Sequence, residues 1–499
     1  MAKTAESGKA EEKSEQKTEV LFEDVLERCC GTGRWQTLLI GYMSVMWLLF
    51  PVFSMSIMFV GATPKFRCAD GFAANATFAS LPSDTPRCHA ANSTAACQRW
   101  AFDPPVYVST VVTEWTLVCG RKPLLSLLQS WLMIGGLFGS VVSGQLADRF
   151  GRRPVFLPAM LLLIACSFTV ALVTDYASFT AVRFLTGVAM SAMISSKYVL
   201  VLELSSSERR AAIGIVSIMP FAFGTCFVAL RSYLIRTRWL LQLAYAVPCL
   251  IFLFNFWVMP ESPRWLVLQG RFPEACAVLR RGARWNGRRE LPEEEVLQLM
   301  AEARNNMLSR QTTMKTLVRT PHMRRRTLIA VFLGFIIAGS YFGISFDTTQ
   351  LAASPHLAAV FTGLAGIPSS LVFPLLDRLG RRRSLILLLS LQAAAMLLTF
   401  VQKDTTLWLI LGVVAKIGVS SAYNTIMVFT AELMPTEVRS LACGLRQLAE
   451  RVGAALAPFV TNGRPMPETV ADVDGQPVSA APTAERTRTN EACQGADDP

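Results

Sequence analysis

Leu146-Ala-Asp-Arg-Phe-Gly-Arg-Arg153 is written a second time as Leu375-Leu-Asp-Arg-Leu-Gly-Arg-Arg382. Asp148 and Asp377 are 229 residues apart. Glu203, in Val201-Leu-Glu-Leu-Ser-Ser-Ser-Glu-Arg-Arg210, and Glu432, in Thr430-Ala-Glu-Leu-Met-Pro-Thr-Glu-Val-Arg439, keep the same offset. Two acid–base cassettes at one offset, each between long apolar runs, predict a duplicated membrane unit. Parallel repeats of this kind are one way in which transporters are built.

Composition agrees with that reading. Of 499 residues, 52% are hydrophobic and only 17% are charged, too few to cover a soluble surface. The expected class is an all-α, polytopic membrane protein whose principal partner is the lipid bilayer. The net charge of +12 does not point to nucleic acid, because the basic residues cluster between apolar runs, as cytosolic loops do. Twelve cysteines lack metal-type spacing and three histidines are scattered, so no metal, cofactor or enzyme chemistry is expected. The first apolar run, Trp35 to Val60, is too long for a signal peptide.

A membrane helix needs about 20 apolar residues. That ruler places spans 1 to 6 at 35–60, 124–146, 154–174, 177–201, 211–230 and 239–259, and spans 7 to 11 at 327–347, 355–376, 384–402, 406–430 and 440–460. Residues 1–34 are expected to form a disordered cytosolic tail, with an amphipathic stretch at Phe22–Leu26 lying on the membrane. Residues 35–259 form the first bundle, 260–326 a cytosolic loop with short helices, 327–461 the second bundle and 462–499 a disordered tail. The loop at about 61–123 holds Cys68, Cys88, Cys97 and Cys119, for which three pairings are open. It also holds glycosylation sequons at Asn75 and Asn92, so it is expected outside. Alternate loops then carry the basic residues: Arg149, Arg152 and Arg153; Arg209 and Arg210; Arg378 and Arg381 to Arg383. Arg231, Arg236 and Arg238 are the exception to the positive-inside pattern.

In each cassette the glycine permits a tight turn, and the arginines can reach helix C-termini or lipid phosphates. Glu203 with Arg210, and Glu432 with Arg439, are expected to complete a charge network between the halves that acts as a gate latch, alongside Asp148, Asp377, Arg378, Arg381 and Arg382. Charges within spans are costly and are functional candidates: Arg183, Lys197, Asp347, Lys416, Arg446, Glu450 and Arg451. Arg446 and Glu450, spaced i,i+4, can pair on their own helix. Tyr341, Phe342, Tyr423, Phe221 and Phe223 suit a cavity for amphiphilic organic ions. Pro220 and Gly224 are placed to bend span 5.

The repeated cassette and the six-plus-six spacing resemble the major facilitator superfamily. Within it, the chain resembles the organic cation/anion/zwitterion transporters, solute carrier family 22. The marks are the Cys-containing first loop, Glu114-Trp-Thr-Leu-Val-Cys119, Gln129-Ser130, Pro260-Glu-Ser-Pro-Arg-Trp-Leu266 and Glu432-Leu-Met-Pro-Thr-Glu-Val-Arg439, within residues 20 to 460. The resemblance implies a two-bundle fold, a plasma-membrane location and alternating-access transport of small organic ions. The family carries an acid at the position of Arg451 in its cation carriers and an arginine in its anion carriers, followed by a stretch like Val452-Gly-Ala-Ala-Leu-Ala-Pro458. Arg451 therefore points to an organic anion, which a guanidinium can hold bidentately. The family has twelve spans and this sequence shows eleven, so the expectation is that the end of span 11 and all of span 12 were skipped near Thr461/Asn462. The runner-up reading that follows is a transport-defective membrane protein acting as a receptor or partner subunit.

Overall fold

The computed structural model describes residues 22–462 apart from 32, 74–75, 83–84, 86, 90–95, 104–107, 206–212, 215, 310–318, 352–354, 371–377, 402–404 and 435–437. Asn75, Asn92, Arg210 and Asp377, and the segments 1–21 and 463–499, lie outside the described residues. Span 1 occupies Arg34–Val60. Spans 2 to 4 are Lys122–Phe150, Arg152–Leu172 and Tyr176–Glu203. Span 5 is Pro220–Leu234 and span 6 Arg238–Val258. Span 7 is Pro321–Leu351, and span 8 comprises Pro355–Leu364 and Gly366–Ser370. Spans 9 to 11 are Arg381–Val401, Thr405–Leu433 and Arg439–Asn462.

Among the described residues, eight of these helices are long and apolar enough to cross a membrane. The other three fall outside that group for visible reasons. Span 5 is broken by a turn at Ser217–Met219, and its main helix restarts on Pro220, since proline fits a first helical turn. Span 8 is interrupted at Ala365. Span 11 carries Arg439, Arg446, Glu450 and Arg451 in one helix. Span 1 is also irregular, passing through a 3-10 turn at Met46–Leu48 and short helices at Phe50–Ser54 and Ile57–Val60.

Small residues bring the spans together. The backbone of span 4 at Phe184 and Val188 lies where a Cβ on Gly135 or Gly139 of span 2 would stand, the close approach that glycine allows between membrane helices. Across the repeat, span 2 meets span 11: Ser126 Oγ donates to the Pro458 carbonyl at 3.2 Å and Ser130 Oγ to that of Ala455 at 2.6 Å. Span 5 meets span 8, where the Thr225 side chain packs on Gly363. The first half's core gathers around Phe50, Phe156, Met193 and Phe252, and the second's around Ile337, Leu388, Val419 and Ile426.

The loop after span 1 is tied by Cys68–Cys97 and Cys88–Cys119. It also forms a two-stranded antiparallel sheet, β1 (Phe66–Cys68) with β2 (Trp100–Phe102). Glu114 pairs with Arg238 at 2.6 Å, and Trp115 donates to the Thr174 carbonyl at 2.7 Å. That ion pair answers for part of the basic exception between spans 5 and 6: Arg238 is neutralised by the loop that covers it.

On the opposite, cassette-bearing side lie the helices Pro263–Leu268, Phe272–Trp285 and Glu293–Ser309. The helix Phe22–Cys29 buries Phe22, Val25, Leu26 and Cys29 with Leu266, Leu279 and Met300 of that group. This corrects the expectation of a membrane-surface stretch in a disordered tail, because the apolar face is already covered by protein. Glu23 pairs with Arg264 at 3.7 Å. Asn286 accepts from the Trp35 N–H and donates to the Cys30 carbonyl, joining these helices to the start of span 1. Burial pushes the Cys29 thiol up to about 11 and the Cys30 thiol up to about 12.

Candidate functional site

The cassettes use their glycines alike. Gly151 and Gly380 hold φ of 106° and 80°, a left-handed turn that favours glycine. Arg152, opening span 3, meets Asp148 at 3.3 Å and Glu203 at 3.2 Å. Arg381, opening span 9, meets Glu432 at 3.1 Å. Glu261, from the segment after span 6, accepts the backbone N–H groups of Arg152 at 2.8 Å and Arg153 at 3.2 Å. A carboxylate at a helix N-terminus also complements the helix dipole. Trp265 donates to the Asp148 carbonyl at 2.8 Å, and Arg153 donates to that of Phe256 at 2.7 Å. Arg149 lies over the Phe150 ring, while Arg378 and Arg382 are exposed.

These pairings differ from the expected Glu432–Arg439 contact and from a network between halves. Spans 3 and 4, and spans 9 and 10, pack side by side, so the arginine that opens one reaches the acid that closes the other. Every cassette ion pair among the described residues stays within its own half. The Arg439 Nε is buried without a partner.

The interior charges divide into one compensated pair and several lone cations. Arg446 and Glu450 form an ion pair along span 11, with side chains 2% and 7% exposed. Tyr423 of span 10 donates to the other Glu450 oxygen at 3.0 Å. Lys416 donates to the Tyr341 carbonyl at 3.3 Å and to Ser345 Oγ, with its ammonium 3.1 Å from the Tyr341 ring centroid. Lys197 donates to the Met43 carbonyl at 3.2 Å and stands 4.2 and 4.8 Å from the Trp47 and Phe50 rings. Arg183 donates to Gln129 Oε1 at 2.8 Å and to the Phe53 carbonyl at 3.2 Å. Arg451 stands beside Tyr423 and lies along Gly136 of span 2, where the halves meet. Among the described residues no carboxylate pairs with Arg183, Lys197, Lys416 or Arg451. Cation–π contacts replace part of the lost hydration, at about 2 kcal/mol each when desolvated.

Tyr341, Phe342, Tyr423, Lys416 and Arg451 are therefore brought together by spans 7, 10 and 11. The Tyr341 ring is 5.4 Å from that of Phe342 and 5.8 Å from that of Tyr423. Phe221 packs edge-on to Trp47, at 6.4 Å, in the other half. Phe223 does not join them. It is 48% exposed, in line with exposed Leu230 and Leu234 on one face of span 5. The sequence reading missed Trp47 and Phe50 as partners of Lys197, and Ser345 as a partner of Lys416. Trp47 and Phe50 are three residues apart in span 1, a spacing that could have found them. The backbone carbonyls leave no trace in side-chain patterns.

A model of the family described as "Sugar (and other) transporter" matches residues 57–346 and 340–464. The Organic cation transporter protein of Drosophila melanogaster is 34% identical over 392 residues, covering 76% of this chain and 71% of that protein. Solute carrier family 22 member 7 of Rattus norvegicus is 33% identical over 485 residues, 88% of this chain and 89% of that one. The chain belongs to solute carrier family 22. Its fold is that of the major facilitator superfamily. The partially occluded inward-open xylose transporter XylE from E. coli matches with a TM-score of 0.58 at 16% identity, covering 86% of this chain and 93% of that one. The inward-open form of XylE matches with a TM-score of 0.59 at 14% identity, covering 86% and 89%. This solute carrier family 22 member is thus a multi-pass membrane transporter and not an enzyme. The named relatives include a cation transporter and give no common substrate.

Proposed function

We propose that the chain carries small organic anions across the plasma membrane by alternating access, with Arg451 as the principal substrate contact. The observation that carries this reading is the charge of the interior: Lys197, Lys416 and Arg451 are held in the spans without a carboxylate among the described residues. A site of this sign disfavours a cation by direct repulsion in a low dielectric. Arg451 is half-buried and makes no hydrogen bond among the described residues, so its planar donors are free for a carboxylate or sulfonate. Tyr341, Phe342 and Tyr423 supply aromatic walls beside it. Each cassette, with its own acid, is a latch that fixes the spans of one half as a rigid body, so that the halves rock against each other.

Uptake of labelled organic anions and cations into cells or vesicles tests the proposal. Anion uptake abolished by Arg451→Ala, at unchanged surface level, is the expected result. Uptake of cations alone, or anion uptake indifferent to Arg451, refutes it.

A further inference from the structure

The two cassettes have nearly the same sequence but different surroundings. At the offset of 229 residues, Gly151, Arg152 and Arg153 correspond to Gly380, Arg381 and Arg382. Each trio turns through a left-handed glycine into the first turn of a membrane helix, span 3 or span 9. The first N–H groups of a helix have no partners within it, and they carry the positive end of its dipole. Such an end takes an anion.

In the first half the protein supplies that anion. The Glu261 carboxylate accepts the Arg152 and Arg153 N–H groups, and the Arg153 guanidinium donates to the Phe256 carbonyl. A Cβ on Gly151 would fall against a Glu261 carboxylate oxygen and 3.2 Å from the Trp265 ring. Phe256, Glu261 and Trp265 all come from the end of span 6 and the segment after it. In the second half no described residue takes these parts. A Cβ on Gly380 would meet nothing within 4 Å. Arg382, the counterpart of Arg153, is exposed and makes no hydrogen bond or ion pair among the described residues. The same holds for Arg378 and Arg383. Arg383 stands where the first half has Pro154, so the second cradle carries a cation that the first lacks. Arg381 is answered by Glu432.

We propose that the N-terminus of span 9 binds the phosphate of an anionic phospholipid in the leaflet on the cassette-bearing side. The phosphate sits where Glu261 sits in the first half, held by Arg382 and Arg383 with Arg378 beside them. Position selects a lipid, because span 9 is a membrane helix and its first turn lies at headgroup level. Chemistry selects a phosphate, whose oxygens match guanidinium forks and a helix N-terminus. Sign selects an anionic headgroup, since basic side chains at a membrane surface attract one and a zwitterionic headgroup carries its own cation. The site is separate from the proposed substrate contact and does not depend on that reading.

The test uses the full chain in neutral detergent micelles, given phosphatidylglycerol, phosphatidylcholine or inorganic phosphate at equal phosphorus. Unfolding is followed by tryptophan fluorescence. Phosphatidylglycerol is expected to raise the unfolding temperature by roughly 2 °C or more at saturation, and the other two additives by clearly less. The difference is expected to vanish in Arg382→Gln/Arg383→Gln. It is also expected to vanish in Arg383→Glu, which gives span 9 an acid of its own in the first turn, a favourable place that keeps the helix stable. Arg281→Gln/Arg289→Gln removes two exposed arginines from the helix Phe272–Trp285 and the loop after it, and is expected to keep the gain. An equal gain from all three additives overturns the proposal, and a full gain from inorganic phosphate overturns the lipid as its source. So does a gain that survives both span 9 variants, or one lost equally in Arg281→Gln/Arg289→Gln. The full chain retains residues 463–499, so a cradle already filled by that segment shows no lipid gain and likewise overturns the proposal.

Discussion

Removing the carboxylate of Glu450 is the sharpest structural test, because that group neutralises Arg446 inside a membrane helix. The two side chains are 7% and 2% exposed, so solvent does little to screen either. Glu450→Gln keeps the shape and an amide oxygen to accept from Tyr423, which now donates to the carboxylate at 3.0 Å. The substitution therefore isolates the charge. Breaking a buried pair from one side costs about 3–5 kcal/mol, because the surviving ion is left uncompensated. Removing both charges, as in Arg446→Met/Glu450→Gln, is expected to recover most of that loss. The double-mutant cycle then gives a coupling energy of about 2–3 kcal/mol. Unfolding in detergent, with all four corners of the cycle measured, reads these values. If Glu450→Gln lies within about 0.5 kcal/mol of the wild type, or the double variant is as unstable as Glu450→Gln alone, then Arg446 is hydrated and the argument fails.

Three further outcomes follow from the packing and the loops. Gly453 of span 11 sits against the Phe335 carbonyl, so Gly453→Ala is expected to destabilise by about 1–3 kcal/mol through overpacking. A Cβ on Gly41 would meet nothing within 4 Å, and Gly41→Ala serves as the neutral control in the same melts. With their thiols raised to about 11 and about 12, Cys29 and Cys30 are ionised at pH 8 to only about one part in a thousand and one in ten thousand. Alkylation of both is expected to be slow, to rise as pH approaches those values, and to speed up in Val25→Asp, which undocks the helix; equal rates in the two proteins would count against docking. Glycans at Asn75 and Asn92 are expected if the first loop faces outside, giving a glycosidase-sensitive mobility shift that Asn75→Gln/Asn92→Gln abolishes.

The readable part of this chain was local or periodic. The cassette repeat announced the duplication, since a 229-residue offset survives in one dimension. Apolar runs of the right length announced the spans, and the i,i+4 spacing of Arg446 and Glu450 announced their pair. Arg451 took its candidate role from a resemblance and not from any contact that could be foreseen. The main helix of span 5 runs later than its hydropathy suggested, and the break before it falls at Pro220, where the sequence already offered a bend.

Other features depended on partners far apart in sequence. That Phe223 stays exposed and apart from the other aromatic candidates was decided by the rotation of span 5 within the bundle. The choice between three disulfide pairings fell to the path of the first loop, and the fate of the Phe22–Cys29 helix to the helices that met it. Which interior cations stay without a carboxylate is likewise a property of neighbours: Lys197 rests on aromatic rings, Arg183 on an amide and a carbonyl. By itself the sequence determined a duplicated membrane transporter with charges in its spans. The tertiary structure alone decided which charges were satisfied, because burial and pairing are set by helices that meet only after the chain has folded.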